Sequence, residues 1–299
     1  MPGGVELSRL DKPYWPDDGL TKGDLIGYVR AVSTQFVRHL RNRPLTVIRF
    51  PDGVNGMSFY QKQTPDYAPD WVRTVTLPAD SGRGKRKEVR YALCNDERTL
   101  VWLANQGSIE FHPWISRVDR IERPEYLIMD VDPPPGRFDL AVRTALVARE
   151  VLSRHGLESC AKTSGAKGVH VYVPLARRHG YEEASRAAFA LAAEAAALEP
   201  DLITVEFFKS ERGDRVFLDA TRIGPGKHVV CAYSPRARPG APVSFPVPWS
   251  DIERVAPQDF TIANVPGLVG DGDPWQDLMP AAQRLPAELT REPEPPDSA

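Results

Sequence analysis

The sequence predicts an α+β fold built in two parts, and three observations carry that expectation. Residues 1–124 hold one helical stretch followed by short β-like runs. From residue 125 onward the order reads strand–helix–strand–strand–helix–strand, with both helices long enough to cover a sheet. The 299 residues are 41% apolar and 26% charged, the composition of a soluble globular chain with a sizeable core.

The first element is a helix over 21–42, where Leu25, Tyr28, Val29, Val32, Phe36 and Leu40 recur at helical spacing. Thr21 and Asp24 form its capping pair, and Asn42-Arg43-Pro44 stops it. β-like runs follow at 45–50, 57–63, 72–77 and 89–94, parted by Pro, Gly and Asp turns, and 99–106 reads as a short helix. The second part opens on a buried strand, EYLIMDVD (125–132), broken by Pro133-Pro134-Pro135-Gly136. A helix over 139–156 takes Asp139 as its cap and Gly156 as its stop. Strand CAKTS, turn GAK and strand 168–175 lead to an Ala-rich helix at 181–198. Strands at 203–208, 215–219 and 228–234 complete the set, an order of RNA-recognition-motif type. Residues 286–299 are proline-rich and acidic and are expected to be disordered.

Lys+Arg of 38 against Asp+Glu of 40 gives a net charge of -2, which excludes a uniformly basic nucleic-acid coat. The charge is unevenly spread: Asp251 to the C-terminus carries 10 acids and 3 bases, a net -7 that leaves +5 on residues 1–250. Proline, at 29 residues, is nearly twice its usual ~5%. Cys94, Cys160 and Cys231 lie far apart with no CxxC pair, so neither a zinc knuckle nor a disulfide scaffold is supported. With no apolar leader segment and no run of ~18 apolar residues, the expected location is the cytoplasm, with no membrane partner.

Asp130 and Asp132 stand at i and i+2 on a strand and so point to one face. Two carboxylates that close repel unless a cation sits between them, and hard oxygen ligands suit Mg²⁺ or Mn²⁺. Asp219, ending the apolar run Val216-Phe217-Leu218, is a third candidate. Three carboxylates on adjacent strands can hold two metals for in-line phosphoryl or nucleotidyl transfer. A DxD alone is equally a solvated strand end or the metal–diphosphate site of a glycosyltransferase. The second constellation is Lys162-Thr163-Ser164-Gly165-Ala166-Lys167-Gly168-Val169-His170. Its amides and Ser164 can cradle a phosphate that Lys167 and His170 neutralise, although the same residues also make an ordinary hairpin. The Walker A spacing is absent.

Taken together these residues resemble a known group. Leu127-Ile128-Met129-Asp130-Val131-Asp132 resembles the hydrophobic-DxD motif of the archaeo-eukaryotic primase superfamily. Ser164 and His170 resemble its serine–histidine motif, and Phe217-Leu218-Asp219 its hydrophobic-Asp motif. The nearer likeness is to the polymerase domain of bacterial ATP-dependent DNA ligase D and its stand-alone relatives. That group has counterparts to DVDPPPG, to KTSGAKGVHVYVPL, to the Arg49-Phe50-Pro51-Asp52-Gly53 turn and to Phe111-His112-Pro113-Trp114. The likeness runs from about Leu10 to Ile252.

The resemblance implies one catalytic domain over 1–285 with an archaeo-eukaryotic primase-type core. An N-terminal α/β lobe (about 1–124) would pack on an RRM-like lobe (about 125–260), with the active site in the cleft between them and a C-terminal extension at 261–285. It implies that Asp130, Asp132 and Asp219 are catalytic and bind two ions, Mn²⁺ or Mg²⁺. It places a nucleoside triphosphate on His112, Ser164, Lys167, His170 and Arg236. Lys12 and Lys22 would grip the 5′-phosphate of a downstream strand, and Phe59 and Tyr60 would stack on template bases. The implied activity is a template-directed primase-polymerase that fills short gaps or extends ends at DNA breaks, in non-homologous end joining or excision repair. It would favour ribonucleotides, work beside Ku and a DNA ligase, and sit at the bacterial nucleoid.

One departure stands out. The group usually continues its third motif as Asp-Trp-x-Gln-Asn, whereas this chain reads Asp219-Ala220-Thr221-Arg222-Ile223, which loses sugar and base contacts and offers Arg222 to a phosphate. The sequence carries no ligase or phosphoesterase module, which reads as a stand-alone polymerase or a fragment of a larger protein, with the starting Met and polar tail favouring the former. For DNA, the acid-free stretch from Leu25 to Pro51 carries five arginines, and Arg83, Lys85, Arg86, Lys87 and Arg90 crowd a hairpin loop near Trp71, Phe59 and Tyr60. His39, His155 and His179 are expected at the surface, and Trp114 and Trp249 in packing. The rival readings are a non-catalytic DNA-end binding or bridging module with a decayed metal site and, more distantly, a metal-dependent glycosyltransferase. The latter gives no reason for Lys12, Lys22 and the basic loop.

Overall fold

The computed structural model describes residues 4–79 and 87–291. Strands β1 (Pro13–Trp15) and β2 (Leu20–Thr21) form a small ribbon that feeds α1 (Lys22–Ala31). The expected cap is present: Thr21 Oγ1 accepts from the Asp24 amide, and the Asp24 carboxylate accepts from the Thr21 amide. The single helix expected over 21–42 is two helices, because Val32 leaves helical geometry (φ -107°, ψ 13°) before α2 (Ser33–Leu40). The apolar spacing runs through that break, and Leu25, Tyr28, Val29, Val32, Phe36 and Leu40 are all buried.

Strands β3 (Pro44–Arg49), β4 (Phe59–Gln61), β5 (Thr74–Ala79) and β6 (Lys87–Leu93) follow, then α3 (Glu97–Asn105) and β7 (Ser108–Pro113). β3 pairs with β7 along one edge; on the other it takes β6 at Pro44–Leu45 and β4 at Val47–Arg49, with β5 outside β6. The run expected at 57–63 shrinks to three residues because Phe59 and Tyr60 stay exposed and only Val47–Arg49 meets it.

The second sheet holds β8 (Tyr126–Asp132), then, after α4 (Phe138–Arg154), β9 (Cys160–Thr163) and β10 (Val169–Pro174). Helix α5 (Tyr181–Leu198) leads to β11 (Ile203–Thr204), β12 (Val216–Asp219) and β13 (Pro246–Val247). The strands lie in the order β11-β12-β8-β10-β9-β13. The four strands of the strand–helix–strand–strand–helix–strand unit (β8, β9, β10 and β12) therefore run fourth, first, third, second, the split βαβ arrangement. α4 and α5 pack on each other and on β8 and β10, burying Leu127, Met129 and Val131 on that side.

Several local expectations need correction. Asp139 does not cap α4: it lies in the first turn and pairs with Arg137 (2.8 Å), while Gly156 at φ +66° does end the helix. The strand expected at 203–208 stops at Thr204, whose hydroxyl takes the Glu206 amide (3.2 Å) and leaves Phe207 and Phe208 in solvent. Residues 228–234 are not a strand; they meet the N-terminal sheet through the Trp114–His228 bridge and at Phe111, whose carbonyl accepts from the Cys231 amide (2.9 Å) and whose amide donates to Ser234 Oγ (2.9 Å). Tyr233 takes φ +68° there, fixed by its hydroxyl on Asp273 (2.7 Å) and by the Tyr28 hydroxyl on its carbonyl (2.7 Å). β13 supplies the sheet edge instead.

Three short helices close the chain: α6 (Val265–Val269), α7 (Pro274–Leu278) and α8 (Ala287–Thr290). The tail expected to be disordered from 286 is ordered through Arg291, because Leu289 is buried and α8 packs on α5. Residues 292–299 lie outside the described ones. His39, expected at the surface, is largely buried with its Nε2 3.0 Å from Asp273. All three cysteines are buried and free. Among the described residues no helix is long and apolar enough to cross a membrane.

Candidate active site

Strand register assembles the site. Asp219 on β12 pairs with Asp130 on β8, Asp130 with His170 on β10, and His170 with Lys162 on β9. Directly paired residues share a face, so these four side chains form one row across four strands. Asp132, two residues beyond Asp130, joins the same face. β8 and β10 can come this close only because residue 168 is glycine: a Cβ there would lie 2.1 Å from the Val131 carbonyl oxygen.

The row is a chain of polar contacts. Lys162 is fully buried, with Nζ 2.8 Å from His170 Nδ1 and 2.5 Å from Ser244 Oγ. Burial lowers this lysine to about 7, and burial with the neighbouring Lys162 charge lowers His170 to about 4. His170 Nε2 lies 3.3 Å from Asp130 Oδ1. Burial alone would raise Asp130, but the His170 ring and the Arg222 guanidinium hold it below the usual carboxylate range. Asp132 is pushed up by burial and by the Asp130 charge, against the pull of Lys167 Nζ at 3.2 Å.

Arg222 bridges the remaining carboxylates: its Nε is 3.2 Å from Asp130 Oδ2 and 3.0 Å from Asp219 Oδ2. Among the described residues no group of three His, Cys, Asp or Glu side chains converges on one point as a preformed metal centre does. The donor chemistry nonetheless fits a divalent cation, because two buried carboxylates already aim one oxygen each at a single cationic nitrogen.

The 164–168 turn is built by its serine. Ser164 Oγ accepts from the amides of Ala166 (3.2 Å) and Gly168 (3.0 Å), and the Ser164 carbonyl takes Arg236 Nη1 at 2.6 Å. Arg236 is held from the other side by Glu110, a residue the sequence reading did not single out. Glu110 Oε1 is 3.1 Å from Arg236 Nε and 3.2 Å from the Ala237 amide, while Oε2 is 3.2 Å from His112 Nε2. Burial would raise this carboxyl, yet the His112 hydrogen bond and the Arg236 charge bring it down to about 2. Its signal was available in Glu110 and His112, an i, i+2 polar pair framed by Ile109 and Phe111.

A cavity of about 660 Å³ collects Asp130, Asp132, Ser164, Lys167, His170 and Arg236 beside His112 and Tyr60. Asp219 is buried beside it, bonded to the cavity-lining Arg222. Lys12 and Lys22 stand elsewhere, at the β1–α1 corner. Lys12 Nζ is 2.6 Å from Asp52 Oδ1, and Lys22 is buried and donates to the Ser8 carbonyl (2.7 Å). Burial, then the charges of Lys12 and Arg9, lower Lys22, so three cations crowd this corner. Phe59 lies under Arg49 at 5.4 Å. Of the basic loop, Arg83, Lys85 and Arg86 lie outside the described residues, and Lys87 is described only as the first residue of β6.

A split βαβ sheet with a carboxylate row beside a cation-lined cavity large enough for a nucleotide defines a nucleotidyltransferase of the primase-polymerase class. The family model for "LigD, primase-polymerase domain" matches residues 21–275, and the chain belongs to that family of nucleotidyltransferases, for which a divalent metal is expected. It is 31% identical over 295 residues to the multifunctional non-homologous end joining protein LigD of Pseudomonas aeruginosa, covering 97% of this chain and 34% of that protein. It is 33% identical over 264 residues to the bifunctional LigD of Bacillus subtilis, covering 87% of this chain and 42% of that protein. The chain thus spans between a third and a half of these relatives. The polymerase domain of Mycobacterium tuberculosis ligase D, solved in complex with DNA, superposes with a TM-score of 0.84 at 27% identity, covering 94% of this chain and 99% of that one. The fold is accordingly of archaeo-eukaryotic primase type.

Proposed function

We propose that this chain is a template-directed, DNA-dependent nucleotidyltransferase that fills short gaps or extends ends at DNA breaks. The observation that carries this is the row Asp219–Asp130–His170–Lys162 opening on a cavity rimmed by Ser164, Lys167 and Arg236. Asp130, Asp132 and Asp219 are the ligands for two divalent ions, Mn²⁺ or Mg²⁺, which when bound supply charge neutralisation and activation of a primer 3′-hydroxyl. The 164–168 turn, Lys167, His170, His112 and Arg236 hold the triphosphate, with Glu110 fixing Arg236 and His112 in place. Lys12 and Lys22 take a 5′-phosphate, and Phe59 and Tyr60 stack on template bases.

The DNA bound to the M. tuberculosis neighbour and the end-joining role in the relatives' names support broken or gapped DNA as the substrate. Non-homologous end joining or excision repair at the nucleoid, with Ku and a ligase as protein partners and ribonucleotides favoured, belongs to the same proposal. So does a single catalytic domain over 1–285. The rival, a non-catalytic DNA-end module, would take Arg222 as a permanent replacement for metal; three retained carboxylates beside an open cavity weigh against it.

The test is a one-nucleotide gap carrying a downstream 5′-phosphate, offered each of the four triphosphates with Mn²⁺. Incorporation of only the templated nucleotide is expected. Tight binding of the gapped duplex without incorporation overturns the proposal in favour of the binding module.

A further inference from the structure

We propose that Arg222 is a resident counter-ion of the catalytic carboxylates, which a divalent cation must displace, so that this side chain sets how tightly the protein takes up metal. The inference rests on the reading of Asp130, Asp132 and Asp219 as metal ligands. Each of the two bridged carboxylates has one oxygen committed to a fixed donor. Asp130 Oδ1 faces His170 Nε2 at 3.3 Å, and Asp219 Oδ1 accepts the Thr221 amide at 2.7 Å. The other two oxygens both turn to Arg222 Nε, at 3.2 and 3.0 Å. They are the oxygens a metal between β8 and β12 would use, and the guanidinium holds both.

Occupancy by the two cations is mutually exclusive. A small divalent ion sits roughly 2.1 Å from carboxylate oxygens, inside the space this nitrogen fills, and would meet the full guanidinium charge if it stayed. Arg222 is able to leave: its side chain is 38% exposed and lines the cavity. It also sits in the Asp219-Ala220-Thr221-Arg222-Ile223 segment, where this chain departs from the Asp-Trp-x-Gln-Asn pattern. Arg222 lines the same cavity as Lys167 and Arg236, so an anionic ligand bound there draws the displaced guanidinium from the carboxylates. Metal uptake is therefore weak in the free protein and strengthened by the nucleotide.

The experiment titrates the full chain with Mn²⁺ alone, without nucleotide or DNA, reading free ion by electron paramagnetic resonance. Arg222→Gln is expected to bind Mn²⁺ about fivefold tighter than the unaltered protein, the worth of a half-exposed ion pair removed. Arg222→Met gives the same comparison with a different packing should the glutamine variant not fold. Arg238→Gln removes a charge from the same cavity wall, where Arg238 has no ion pair with these carboxylates among the described residues, and is expected to stay within about twofold. Equal or weaker binding by both Arg222 variants overturns the inference, and so does equal tightening by Arg238→Gln, which would point to the general field rather than to displacement. Templated incorporation by the unaltered protein, run in parallel at saturating Mn²⁺, separates the two claims. Incorporation with unchanged Mn²⁺ affinities sinks this inference alone, whereas tighter binding by Arg222→Gln with no incorporation sinks the polymerase reading and leaves the counter-ion.

Discussion

Lys162 and His170 are cross-strand partners, and the lysine Nζ stands 2.8 Å from the ring Nδ1. In its ammonium form Lys162 can only donate, so Nδ1 then accepts and the ring proton is assigned to Nε2, where it faces Asp130 Oδ1. A fully buried lysine thus sets the tautomer of the histidine that orients the central carboxylate.

Replacing Lys162 by Met frees the His170 ring and leaves its Nδ1 without a donor. The expected result is a fall in kcat of about 10²-fold, the cost of misplacing a group at the reacting centre by about an ångström. Affinity for gapped DNA should stay within about twofold of the parent, since Lys162 is buried away from solvent. Single-turnover incorporation and a DNA-binding titration on the same samples check both halves.

Glu110 acts on the nucleotide side. Glu110→Gln leaves Arg236 and His112 without their carboxylate and is expected to raise the KM for triphosphate about tenfold with a smaller change in kcat. Because one partner of a buried pair is lost, stability should drop by about 3 kcal/mol. The pH dependence follows from the sign of the shift. A depressed carboxyl contributes stability that is full above its unfolded value of about 4.3 and is lost as pH falls through the folded value of about 2. The parent should therefore lose stability between those limits more steeply than Glu110→Gln, as measured by urea unfolding across that range.

Asp273 fastens the C-terminal segment to the N-terminal helices. Its carboxylate receives Arg38 (2.9 Å), His39 (3.0 Å) and the Tyr233 hydroxyl (2.7 Å) while only 4% exposed. Asp273→Asn should cost about 3 kcal/mol and lower Tm by about 6 °C or more, read by calorimetry.

The sequence makes the catalytic half legible because its signals are local. An apolar strand ending in Asp130 and Asp132, a proline stop, two long helices and a Lys/Ser/Gly turn each announce themselves within about ten residues. Register then does the rest, because pairing Asp130 with both His170 and Asp219 follows from antiparallel neighbours. What stayed hidden depends on distant partners. The kink at Val32 leaves no mark in the apolar spacing, and the left-handed turn at Tyr233 is imposed by Tyr28 and Asp273 rather than by its neighbours. β7 was readable from the alternation of Ile109 and Phe111 with Glu110 and His112, but its buried polar face looks like a loop motif. In the sequence Arg222 stands out as a departure from the Asp-Trp-x-Gln-Asn pattern, whereas its seat between Asp130 and Asp219 exists only because β8 and β12 are side by side.

The central claim, that the Asp219–Asp130–His170–Lys162 row is a polymerase active site, is tested most directly by Asp130→Asn. The measurement is incorporation of one labelled nucleotide into a 5′-phosphorylated gapped duplex, with duplex binding followed on the same samples. Incorporation is expected to fall by at least about 10³-fold while binding stays within a few fold, since the lost group acts on the chemical step. Incorporation by Asp130→Asn at a rate near that of the parent would contradict that claim.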